Sequence, residues 1–92
     1  MTVTIEQISE ITGIREEVIK FALEMEKKLK ANDSKGGWDK CEYDWLLQRV
    51  DEEITELKHS IRVDGSDRKI IRECADVANF VMMIADNTGA LG

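Results

Sequence analysis

The sequence predicts an all-α chain, and three observations carry that expectation. Proline is absent from all 92 residues. Apolar residues recur every three or four positions along most of the length, and polar capping residues precede these runs while glycines follow them. Proline breaks helix interiors, and apolar side chains at that spacing line one helical face. The length sets a single domain over 1–92, small enough that its own core is marginal. The expected architecture is an antiparallel helical hairpin preceded by N-terminal helices, forming a four-helix-bundle-type assembly with a partner subunit.

The elements follow in order. Thr4, with Gln7 three residues on, is a capping box that opens a short helix carrying Ile5, Ile8 and Ile11. Thr12-Gly13 interrupts it. Ile14, Val18, Phe21, Met25 and Leu29 recur at helical spacing, so a second helix runs to about residues 31–33, with Phe21 and Met25 in the core and charges outside. The segment Asn32–Gly37 is a connector in which Gly36-Gly37 permits backbone shapes closed to other residues. Trp38-Asp39 is expected to begin the third helix, whose core stripe is Tyr43, Leu46, Leu47, Val50, Ile54, Leu57 and Ile61. A turn spans Ile61–Asp67 around Gly65. Asp67 is expected to cap the last helix, which ends near Asn87 before Thr88-Gly89. Its apolar arc, from Ile70 through Val77 and Val81 to Ile84, covers about half the circumference. One hairpin partner cannot cover that arc, so a homodimer or homotetramer is expected.

Charge narrows the function classes. Thirteen basic against nineteen acidic side chains give a net charge of −6, which argues against a nucleic-acid surface. No apolar run approaches membrane-spanning length and the start Met1-Thr2-Val3-Thr4 is polar, so no membrane partner is expected and the cytoplasm is the default location. Cys41 and Cys74 lack metal-ligand spacing and are read as reduced side chains without a redox role. His59 falls away from both the apolar stripe and the acids, so histidine-based and serine-triad chemistry are not expected.

The chemistry-bearing pattern lies in the last two helices. Glu53 and Glu56 stand three residues apart, as do Glu73 and Asp76, so each pair shares a helical face. The pairs are placed almost symmetrically about Gly65. A hairpin would bring both to one level, roughly 15 Å from the turn at ~1.5 Å per residue. Four converging carboxylates repel one another and raise each other's pKa. A hard divalent cation with oxygen ligands, Mg²⁺ or Mn²⁺, offsets that cost. The plainer reading is a set of solvated helix charges in a chain that is 35% charged.

The pattern Glu53-x-x-Glu56, sixteen intervening residues, then Glu73-x-x-Asp76 resembles the signature of MazG-like all-α nucleoside triphosphate pyrophosphohydrolases. Lys35-Gly36-Gly37-Trp38 and Glu73-Cys74-Ala75-Asp76-Val77-Ala78-Asn79-Phe80 resemble the small, phage-type branch of that family. The resemblance covers roughly residues 21–87. It implies that Glu53, Glu56, Glu73 and Asp76 hold Mg²⁺, and that a nucleoside triphosphate is cleaved to the monophosphate and pyrophosphate. Glu52, beside the ligand pair, is a candidate to orient or deprotonate water, and with Glu53 forms the expected catalytic pair; the alternative is a solvent-facing side chain.

Substrate contacts are expected from Lys35 and Trp38 in the connector, Trp45 as a stacking surface for a base, Arg72, and Asn79 toward a sugar hydroxyl or phosphate. Each has a plainer reading: an ordinary helix connector, a tryptophan in a subunit interface, a charge that offsets the acids, an exposed amide. Arg49, one turn from Glu53, is read first as an ion-pair partner. The runner-up from another class is a non-catalytic helical dimerisation or regulatory module with a degenerate acidic site. A dinuclear iron protein is weaker still, since the expected Glu-x-x-His pairs are missing.

Overall fold

The computed structural model describes residues 2–92, which form four α-helices: α1 (Ile5–Thr12), α2 (Glu16–Ala31), α3 (Tyr43–His59) and α4 (Asp67–Asn87). The all-α expectation holds. Thr4 and Gln7 form the reciprocal capping box: the Gln7 N–H donates to the Thr4 hydroxyl at 3.1 Å, and the Thr4 N–H to the Gln7 side chain at 2.8 Å. Gly13 ends α1 in the left-handed region at φ 74°, where a side chain would be strained.

α4 is the central element. It packs against α3 along the hairpin and against α2 on another side, while α2 and α3 have no comparable contact. Ala75, fully buried on α4, keeps the helix slim where its neighbours approach. Polar links from α4 help fix α2 in place. The Asn79 amide donates to the Met25 carbonyl at 3.1 Å, and Arg68 donates to the Glu24 carboxylate.

Four details differ from the sequence reading. The third helix begins at Tyr43, not at Trp38-Asp39. Asn87 on α4 donates to the carbonyls of Trp38 (2.9 Å) and Cys41 (3.3 Å), which holds Trp38–Cys41 as a turn. Ser66, rather than Asp67, caps α4 by accepting from the Lys69 N–H. The hairpin connection stays helical further than expected, in a wide turn over Ser60–Asp64 that closes with Gly65 N–H to the Ser60 carbonyl at 2.7 Å. Finally, the α3 stripe is not all core: Tyr43, Leu47 and Ile61 are about half exposed, because α4 alone packs on α3. The buried apolar residues are Ile19, Leu46 and Ala75. Among the described residues, no helix is long and apolar enough to cross a membrane.

Candidate functional site

The hairpin brings the acids together as its symmetry about Gly65 requires. Glu53 on α3 and Glu73 and Asp76 on α4 each present an oxygen within 4.8 Å of the others. Glu53 is 7% exposed, and Glu53 Oε2 and Glu73 Oε2 are buried with no hydrogen-bond partner. Glu56 lies outside this trio yet beside it, since its charge acts on both Glu53 and Glu73.

Electrostatics follow from that crowding. Burial is the largest cause pushing the Glu53 carboxyl above its ordinary value; the charges of Glu56 and Asp76 add to it, and Arg49 opposes them. Burial likewise leads for Glu73, followed by the charges of Glu56 and Asp76. A carboxylate forced into the company of other carboxylates favours its neutral form unless a cation arrives. The donor set is all oxygen, which suits a hard divalent ion. Ligand oxygens around Mg²⁺ stand about 2.9 Å apart when adjacent and about 4.2 Å when opposite, and at most one pair among three is opposite, so the trio has to draw together to hold one ion.

Cations from the chain already answer part of the charge. Arg49 donates to Glu53 at 2.9 Å and also to Glu52. Lys28 on α2 lies 3.2 Å from Asp76. The Arg49 guanidinium also sits 5.0 Å from the centre of the Phe80 ring, and Phe80 meets Trp45 edge to face with ring centres 6.5 Å apart. Both contacts are attractive geometries for these groups.

These groups line one groove of about 560 Å³ between α2, α3, α4 and the connector. Glu53, Glu56 and Asp76 stand at its acidic side, Trp45 and Phe80 form an aromatic wall, and Lys28, Lys35 and Arg49 contribute positive charge. Of the expected contact residues, Lys35, Trp38, Trp45 and Asn79 line the groove, and Arg72 does not. Arg72 is exposed, turned about 100° from its neighbour Glu73. Glu52 is exposed as well and spends its carboxylate on Arg49. Trp38 commits its indole N–H to Asp86 at 3.0 Å, which ties the connector to the end of α4. Asn79 is 4% exposed rather than a surface amide.

The sequence reading missed Lys28 and Phe80. Phe80 had a usable signal, an aromatic one turn from Asp76 on the charged face of α4. Lys28 had none, since it is one of many lysines on α2 and only the fold brings it to Asp76. No protein-family model, curated protein or solved structure matches the chain.

Proposed function

We propose that this chain is a Mg²⁺-dependent nucleoside triphosphate pyrophosphohydrolase that releases the monophosphate and pyrophosphate in nucleotide-pool house-cleaning, with Mn²⁺ as a substitute ion. The observation that carries the reading is the convergence of Glu53, Glu73 and Asp76 within 4.8 Å, two of them with an unpartnered buried oxygen, at the edge of a groove lined by Glu53, Asp76, lysines, an arginine and an aromatic wall. Each part of a nucleotide has a counterpart there. Glu53, Glu56, Glu73 and Asp76 hold the cation; when bound, Mg²⁺ neutralises the triphosphate and acidifies water at neutral pH. Lys28, Lys35 and Arg49 donate to phosphate oxygens. Glu52 positions Arg49, and Trp45 offers its half-exposed face to the base. A homodimer or homotetramer, in which a partner's helices complete a four-helix bundle, belongs to the same reading.

One observation favours the other class. Arg49 and Lys28 already pair with two of the acids, so a non-catalytic helical module could balance its charge without an ion. Pyrophosphate release from a panel of canonical ribo- and deoxyribonucleoside triphosphates separates the two. The enzyme releases pyrophosphate with Mg²⁺ and stops with EDTA; the module releases none.

A further inference from the structure

We propose that Phe80 is a positioning residue: its ring keeps the Arg49 guanidinium beside the substrate phosphates once a cation at the acids loosens Arg49 from Glu53. This rests on the hydrolase reading and extends it to how the groove keeps a positive side chain next to a cation site.

Helix register sets up the contact. Trp45, Arg49 and Glu53 follow at intervals of four on α3, so they climb one face of the helix. Asp76 and Phe80 do the same on α4, which packs along α3. The groove therefore runs from an aromatic end to an acidic end, with Arg49 between them. Phe80 touches both of its neighbours across the hairpin. The Arg49 guanidinium carbon lies 5.0 Å from the Phe80 ring centre, and Trp45 meets that ring edge to face at 6.5 Å, with the planes 76° apart. The face of an aromatic ring carries partial negative charge and attracts a guanidinium, while an edge-to-face neighbour fixes the ring's orientation.

Arg49 has three holds, and a cation affects each differently. Glu53 accepts from Arg49 at 2.9 Å but belongs to the acidic trio, so a divalent ion there competes for its charge and repels the guanidinium. Glu52 also accepts from Arg49, yet its side chain is 47% exposed, and an exposed ion pair contributes little and weakens with salt. Phe80 is half-buried, uncharged and outside the trio, so its contact survives the arrival of a cation. A ring offers no oxygen acceptor, which leaves the N–H groups released by Glu53 free for phosphate oxygens. Lys28 lacks such a hold, since it is paired with Asp76 alone among the described residues.

Nuclear magnetic resonance of the wild type gives the first test. The Arg49 side-chain protons should lie upfield, in the ring current of Phe80, and should stay there at Mg²⁺ concentrations that shift the Glu53 amide. Their return to the position of an exposed arginine overturns the proposal. Calorimetry with Mg²⁺ and inorganic tripolyphosphate, which has no base, gives the second, with circular dichroism to verify folding. Phe80→Leu should weaken binding by about two- to thirtyfold, the span of one cation–π contact, and Phe80→Tyr should recover most of that loss. In an Arg49→Met background, Phe80→Leu should cost nothing further. Equal losses with and without Arg49 would make Phe80 a packing residue and overturn the proposal; a Phe80→Leu variant that does not fold leaves the wild-type spectrum to decide. A wild type that neither shifts at Glu53 with Mg²⁺ nor binds tripolyphosphate fails at the hydrolase reading itself, and this proposal falls with it.

Discussion

The ammonium of Lys28 lies 3.2 Å from Oδ1 of Asp76, so α2 supplies a counter-charge to an acid set built by α3 and α4. On the proposed function, the same lysine opposes a divalent ion held by the acids and meets a substrate phosphate. Lys28→Met should therefore strengthen Mn²⁺ binding without nucleotide by roughly tenfold, since a unit charge a few ångströms away costs on the order of 1–2 kcal/mol in a partly wet site. It should also weaken nucleoside triphosphate binding. Mn²⁺ titration by electron paramagnetic resonance, with and without nucleotide, reads both; unchanged Mn²⁺ affinity would remove Lys28 from the site.

The raised carboxyls of Glu53 and Glu73 set the pH dependence of the ion-free protein. Each binds its proton more tightly folded than unfolded, so the penalty is complete above the raised folded pKa and vanishes below the ordinary value of 4.5. Lowering the pH from 8 toward 4.5 should stabilise the protein. Glu24 works in the opposite direction: the hydrogen bond from Arg68 lowers its pKa, so its contribution is present above 4.5 and is lost as the pH falls further. Thermal melts in EDTA should peak on the acidic side of neutral, and saturating Mg²⁺ should shift the optimum toward neutral pH. A flat profile between pH 5 and 8 in EDTA would contradict the crowding of Glu53 and Glu73.

Trp45 and Phe80 form the apolar wall of the groove. Trp45→Ala should raise KM for nucleoside triphosphates by about 10- to 100-fold, the range for loss of one base–aromatic stack of ~1–3 kcal/mol, while inorganic tripolyphosphate, which has no base, should bind as before. Equal losses for both ligands would place Trp45 in structure rather than in base recognition.

Asn87 donates to both the Trp38 and Cys41 carbonyls. Asn87→Ala should cost about 1–3 kcal/mol, the penalty for stranding part-buried acceptors, and should speed proteolysis at Gly36-Gly37. Chemical denaturation and limited proteolysis measure the two effects, and a variant as stable as the wild type would show that the connector is held by other means.

Much of this architecture is legible in the sequence where the rule is local. The Thr4–Gln7 capping box, the Gly13 stop and the acidic register about Gly65 depend on residues within a few turns of one another. The convergence of Glu53, Glu73 and Asp76 needed only one long-range assumption, that two helices fold back about Gly65. What was not legible depends on where a third element lands. Asn79 is buried because Met25 of α2 lies above it, Lys28 meets Asp76 for the same reason, and Asn87 delays α3 to Tyr43 by claiming the carbonyls of the preceding turn. Periodicity likewise marked Leu47 and Ile61 as core, since a stripe cannot report whether its cover comes from the same chain.

The most direct test of the central claim compares wild type and Glu53→Gln for pyrophosphate release across the nucleotide panel with Mg²⁺, with circular dichroism to verify that both are folded. The account predicts metal-dependent release by the wild type on at least one nucleotide and a fall of at least about 100-fold in the variant, the scale of losing a group that acts on the transition state. Equal release by the two folded proteins, or none by the wild type, would contradict it.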